Sequence, residues 1–279
     1  MDDRLLAAVE RVAVALERLA PPLPEPPDFS GARMFRHDPA KDAFVAAPDY
    51  ALDLDLLVGV DRQKALAVEN FHRFANVLPV NHILFWGVRG AGKSSLVKAA
   101  FMAAAAAAPA LKLIEVDRDE VTALPALFES LRGRSERFVV LCDDLSFEEG
   151  AAAAKALKSA LEGGVAGPPE NVLFVATSNR RHLMPREHGE DRGAIAAAED
   201  AEEEVSVSDR FGLWIGFPPM DQGTYLAAIH GYANRFGLET SDIEGRALRW
   251  AQLRGGRSGR TAWQFTRDLA GELGKPVPV

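Results

Sequence analysis

Cysteine is nearly absent from this chain of 279 residues: Cys142 is the only one. A single thiol closes no disulfide within the chain and builds no all-cysteine metal site. Its setting, FVVLCDD, reads as a small core residue rather than a reactive thiol. Long hydrophobic runs are missing too, since no stretch approaches the roughly 18 to 20 apolar residues of a membrane span. The opening MDDRLL lacks the basic start of a secretory leader, so no membrane partner and a cytoplasmic location are expected. Basic charge is also in deficit: 32 Lys and Arg against 40 Asp and Glu leave a net charge of -8. That balance disfavours a surface built throughout to hold nucleic acid, while leaving room for a local basic patch. What is present, 48% hydrophobic and 26% charged residues, is the composition of a folded globular protein. The length suits one large domain or a core with a smaller second domain.

Three regions are expected. In residues 1–49 an N-terminal helix precedes a proline-rich linker: Leu5, Val9, Val12, Leu16 and Leu19 fall at spacings of four and three, laying an apolar stripe along one face. The stripe is expected to dock on the protein's own body, with pairing between subunits as the alternative. The run PPLPEPPDFSG then ends the helix, because proline removes amide donors and restricts the residue before it. Residues 50–217 alternate strand and helix signals. Five apolar runs qualify as strands: HILFW at 82–86, LKLIEV at 111–116, FVVLC at 138–142, VLFVA at 172–176 and LWIGF at 213–217. Most are apolar throughout, as strands covered on both faces should be. Helices are expected at 93–108, 124–132 and 150–162, and the acidic stretch 186–206 as a surface excursion. Residues 218–279 then carry three helical segments, 221–236, 241–253 and 258–273, as a small helical domain.

The first of those strands runs into GVRGAGKSS, residues 87–95. Three glycines in six residues give up packing and cost backbone entropy, so the bare backbone must itself be needed. The stretch fits G-x-x-x-x-G-K-[ST], with a strand before it and a helix after it. In that setting the amides of Gly87, Val88, Arg89, Gly90, Ala91 and Gly92 turn inward around phosphate, and the start of the following helix adds partial positive charge. Lys93 would reach the β and γ phosphates of a triphosphate, which does not yet separate kinases, GTPases and ATPases. The Ser94 hydroxyl would ligate Mg²⁺, with Ser95 beside it.

The other half of such a site should stand at the carboxyl ends of neighbouring strands. FVVLCDDLSF supplies Asp143 as the metal-side acid and Asp144 as the group that polarises the attacking water, with Glu148 in reserve. The next strand ends in ATSNRR, where Asn179 could bond the γ phosphate or that water, or serve only as a turn residue.

These motifs, with SDRFGLW and GRSGRTA, resemble those of the AAA+ ATPases. GVRGAGKSSLVKA, LCDDLSFE, SNRRHL, SDRFGLW and GRSGRTA together are similar to an uncharacterised bacterial AAA+ family catalogued as a domain of unknown function. The resemblance runs from about residue 50 to the end. It implies an α/β fold, a five-stranded parallel sheet flanked by helices and followed by a helical lid, with nucleotide between them. It also implies that Val58, Gly59 and Val60 of LVGVDRQ line the adenine pocket, and that Arg210 is an arginine finger reaching a neighbouring subunit's γ phosphate. Arg260 would be the lid arginine that senses nucleotide, with Arg257 the runner-up. Asp144 departs from the commoner AAA+ superfamily pattern, standing where a glutamate is usual and shortening the presumed base by one methylene.

The expected function is a Mg²⁺-dependent ATPase that assembles as a ring-type homo-oligomer and remodels an unknown protein partner, binding ATP and releasing ADP. The alternatives are a non-hydrolysing nucleotide switch and a DNA-associated loader, the latter resting on Arg180, Arg181, His182 and Arg186. A threading unfoldase is disfavoured, because VDRDEVTALPALFESLRGRSERF offers no aromatic and glycine pair at a loop tip.

Overall fold

The computed structural model describes residues 3–19, 27–41, 43–146, 151–179 and 207–277. One sheet organises them. Its strands are β1 (Met34–Asp38), β2 (Ala43–Ala47), β3 (Ile83–Gly87), β4 (Leu111–Val116), β5 (Arg137–Cys142), β6 (Val172–Ser178) and β7 (Leu213–Phe217). Their spatial order is β2-β1-β4-β5-β6-β3-β7. β2 runs antiparallel to β1, and every other neighbouring pair is parallel.

The five expected parallel strands are all there, but the sheet has seven. The two additional strands, MFRHD and AFVAA, fall where the linker was expected. They are short, and the first carries charge at its centre, so only the second is apolar throughout. Tertiary contacts stabilise them instead: Met34 pairs with Leu113 and Arg36 with Glu115, while Phe29 packs edge-on against Phe35, Phe44 and Phe138 at ring separations of 5.0, 4.9 and 4.8 Å.

Both faces of the sheet are covered. On one lie α2 (Asp61–Ala75) and α3 (Lys93–Ala105), packing Phe71, Phe74, Leu96 and Phe101 onto Ile83, Phe85, Val139 and Val175. On the other lie α4 (Leu124–Leu131) and α5 (Ala151–Glu162), which bring Leu124, Phe128 and Leu157 onto Leu84, Val140 and Phe174. Each such side chain taken wholly out of water contributes about 1.5–3 kcal/mol, which is why the central strands are apolar on both faces. Cys142 is fully buried among them, and burial pushes its thiol pKa up. After β7 come α6 (Gln222–Phe236), α7 (Ile243–Leu253) and α8 (Gly259–Glu272), with their own core of Tyr225, Ile229, Ala247, Phe265 and Leu269.

The N-terminal helix α1 (Asp3–Leu19) forms, but it does not dock as expected. Leu5, Val9, Val12 and Leu16 stand more than half exposed. No described helix is long and apolar enough to cross a membrane.

His82, just before β3, accepts the Phe174 amide proton on Nδ1 at 3.0 Å. Burial lowers its pKa from 6.5 to about 4, so the folded chain keeps the ring neutral while the unfolded chain binds the proton. Its contribution to stability is therefore complete above about pH 6.5 and is lost as pH falls toward 4, at up to about 1.4 kcal/mol per pH unit. Urea unfolding at several pH values should show that slope, and His82→Asn should flatten it.

Candidate functional site

The carboxyl ends of β3, β5 and β6 meet the lid helices around a cleft of about 440 Å³. Its floor is the turn from β3 into α3. Gly87 has φ +136, and a Cβ there would lie 2.2 Å from the Phe217 carbonyl, so only glycine lets β3 reach β7 this closely. Past it the chain turns over Gly90 at φ +75 and enters α3 at Lys93, whose neighbours Ser94 and Ser95 lie in the first helical turn. The amides of that turn have no partner within the helix and favour an anion.

Lys93 is only 6% exposed. Its Nζ donates to the carbonyls of Gly87 at 2.8 Å and Val88 at 3.0 Å, and to Oδ1 of Asn179 at 3.0 Å. Desolvation holds its pKa below the ordinary lysine range and nearby Arg260 reinforces this, against the opposing pull of Asp143 and Asp144. At the end of β5, Asp143 accepts hydrogen bonds from Ser94 Oγ and Thr177 Oγ1, each at 2.5 Å. Asp144 follows at φ +55 and accepts from Asn179 Nδ2 at 2.5 Å, with Arg118 4.0 Å away.

Ser94 and Asp143 are hard oxygen donors placed side by side, a set that fits Mg²⁺. Among the described residues no group of three or more His, Cys, Asp or Glu side chains could hold a metal. An ion here would complete its coordination with phosphate and water oxygens.

The far end of the cleft is of another character. Tyr50, Leu52, Leu56, Val58, Val60, Met220, Tyr232 and Trp263 line it, with the Tyr232 and Trp263 rings 5.2 Å apart. An apolar, aromatic end joined to a cationic, amide-rich end suits a flat base carrying phosphates. The lid is seated directly on the loop. The Ser258 side chain caps α8 in a reciprocal bond with Thr261, and the Arg260 amide donates to the Gly90 carbonyl at 3.2 Å. A Cβ on Gly90 would come within 3.2 Å of Arg260 Cβ.

Most of the residues expected from sequence converge here: Arg89, Gly90, Ala91, Gly92, Lys93, Ser94, Ser95, Asp143, Asp144, Asn179, Val58, Val60 and Arg260 all line the cleft. Gly87 and Val88 lie beneath it and supply carbonyls to Lys93. Gly59 is not among the lining residues, and a Cβ on it would lie 2.5 Å from Thr224 Cγ2 of the lid. Arg257 is not among the lining residues, whereas Arg260 is. Arg210 lies outside the cleft as well, with both Nε and a terminal nitrogen donating to Glu162 Oε1, the former at 2.8 Å. Glu148, the cluster Arg180, Arg181, His182 and Arg186, and the stretch 186–206 lie outside the described residues. The aromatic lining of Tyr50, Tyr232 and Trp263 had no signal in the sequence, being single residues from distant segments. Thr177 was visible there only as part of a polar cluster.

The model of a family described as "Protein of unknown function (DUF815)" matches residues 30–273. Among solved structures, Orc1 of Aeropyrum pernix in complex with DNA aligns with a TM-score of 0.59 at 16% identity, over 81% of this chain and 62% of that one. This chain thus spans less than two thirds of that protein. A mutant of RuvB from Thermotoga maritima aligns with a TM-score of 0.54 at 18% identity, over 80% of this chain and 67% of that one. No curated protein matches the sequence. At these identities the likeness concerns the fold, which is of the AAA+ type.

The crowding at Gly90 generates a prediction. Gly90→Ala must place a side chain at φ +75 and against the lid, at a cost of roughly 1–3 kcal/mol. Denaturant unfolding should register that loss.

Proposed function

This chain belongs to the DUF815 family, and from that premise we propose that it binds ATP with Mg²⁺ and hydrolyses it, working as a homo-oligomer that remodels a protein partner. One observation carries the reading above the others: a buried lysine held by its own loop, two strand-end acids and Asn179 share one cleft with an apolar base-sized end. A site for phosphate alone would not need that second end.

The roles follow from position and chemistry. The loop amides and the start of α3 would cradle the phosphates, and Lys93 would exchange its loop carbonyls for β and γ oxygens. Ser94 and Asp143 would hold Mg²⁺, which when bound neutralises charge on the β and γ phosphates. Asp144, oriented by Asn179, would accept the proton of the attacking water as the new bond to the γ phosphorus forms and the bond to ADP breaks. Arg260, whose amide contacts the loop at Gly90, would report the occupied state to the lid. Arg210 is paired with Glu162 outside the cleft, a position that suits a finger offered to a neighbouring subunit rather than a group serving its own site.

A second reading has its own support. Asp144 is already engaged by Asn179 and lies near Arg118, and it is a methylene shorter than glutamate, which favours a slow enzyme or a nucleotide switch. DNA loading has less behind it, given the net charge of -8.

ATP hydrolysis per subunit, followed as protein concentration is raised, separates these readings. Under the motor reading specific activity climbs with concentration, Arg210→Ala abolishes the climb, and Lys93→Ala loses both affinity and turnover. Asp144→Ala should lower turnover by about 10²-fold or more. Tight ATP binding with turnover indifferent to Asp144→Ala would establish the switch instead.

A further inference from the structure

Thr177 is 2% exposed, at the end of β6, and it grips the three consecutive residues that follow the neighbouring strand β5. Its Oγ1 donates to Asp143 Oδ1 at 2.5 Å, the same Oγ1 accepts the Asp144 amide proton at 3.0 Å, and its carbonyl accepts the Leu145 amide proton at 2.7 Å. The parallel ladder between β5 and β6 has its last paired residues at Cys142 and Ala176. Thr177 therefore continues the ladder one step further with a side chain in place of a strand partner.

That step decides where two carboxylates point. A hydroxyl has one proton to donate and lone pairs to accept. Here the proton is shared with the Asp143 carboxylate, while a lone pair holds the Asp144 amide. Asp144 is not glycine, yet its backbone sits at φ +55, a conformation a neighbouring contact must hold in place. With the amide so held, its side chain reaches Asn179 Nδ2.

We propose that Thr177 is a positioning residue that sets the metal-side acid Asp143 and the base Asp144 together, so that one hydroxyl couples Mg²⁺ recognition to orientation of the base. This rests on the ATPase reading above. A serine serves the same purpose. A valine of the same shape leaves Asp143 short of a donor and frees the Asp144 turn, so that both acids are lost to their tasks at once.

The test compares the parent with Thr177→Val and Thr177→Ser, using a fluorescent ATP analogue titrated with and without Mg²⁺ alongside steady-state turnover. Thr177→Val should keep its Mg²⁺-free affinity within about twofold, because the loop and Lys93 are untouched. It should lose most of the gain in affinity that Mg²⁺ brings, and its kcat should fall by about tenfold or more, the weight of a hydrogen bond to a charged group. Thr177→Ser should stay within about threefold of the parent in both. Should the valine variant not fold, Thr177→Ala carries the same expectation. A parental Mg²⁺ gain and kcat in the variant lacking the hydroxyl would overturn the proposal, as would a serine variant as impaired as the valine. A parent that binds no ATP would instead overturn the ATPase reading itself.

Discussion

An ammonium enclosed at the edge of a parallel sheet must be given acceptors or be neutralised, since desolvating it costs several kcal/mol. Lys93 is given three, two from its own loop and one from Asn179. Hydrogen bonds to a charged group contribute about 1.5–3 kcal/mol each, so three of them roughly offset the cost. Meeting that requirement dictates much of the surroundings. The loop carbonyls must turn inward, which the unusual backbone at Gly87 permits, and Asn179 must lie alongside. The latter holds only because β6, distant in sequence, is the neighbour of β3.

The same loop is where the helical lid rests. The Gly90 carbonyl takes the Arg260 amide, so the backbone that would surround phosphate also carries the first turn of α8, while Gly59, outside that loop, lies beside Thr224 of α6. These contacts are short and partly backbone to backbone, which leaves little slack. A shift of the loop must move the lid or break its seat. On the proposed reading this is the route by which occupancy of the cleft becomes a change of shape.

Two features are not part of the cleft lining. The guanidinium of Arg210 is matched to Glu162 at the end of α5, and the apolar stripe of α1 is presented to solvent. The first is where a contact between subunits would act if Arg210 serves a neighbour. The second shows that amphipathic spacing specifies a face but not what covers it.

The turn from β3 into α3, the acids after β5 and Asn179 after β6 were legible in the residues, because their signals act over a few positions: glycine freedom, a lysine and serine entering a helix, carboxylates closing an apolar run. The strand β1, with Arg36 at its centre, was not legible, because it is stabilised by pairing with β4 and by the rings around Phe29. Helix α2 was not among the expected helices, although Asp61 opens its first turn and His72 and Arg73 close its last; the packing of Phe71 and Phe74 onto the sheet secures it. By itself the sequence determined the five parallel strands from β3 to β7 in chain order, and the glycine loop, lysine and acids that follow their carboxyl ends. Only the tertiary structure decided that Tyr50, Tyr232 and Trp263 form one apolar end, that Thr177 joins two acids and that Arg210 stands apart, because each depends on contacts between residues far apart along the chain.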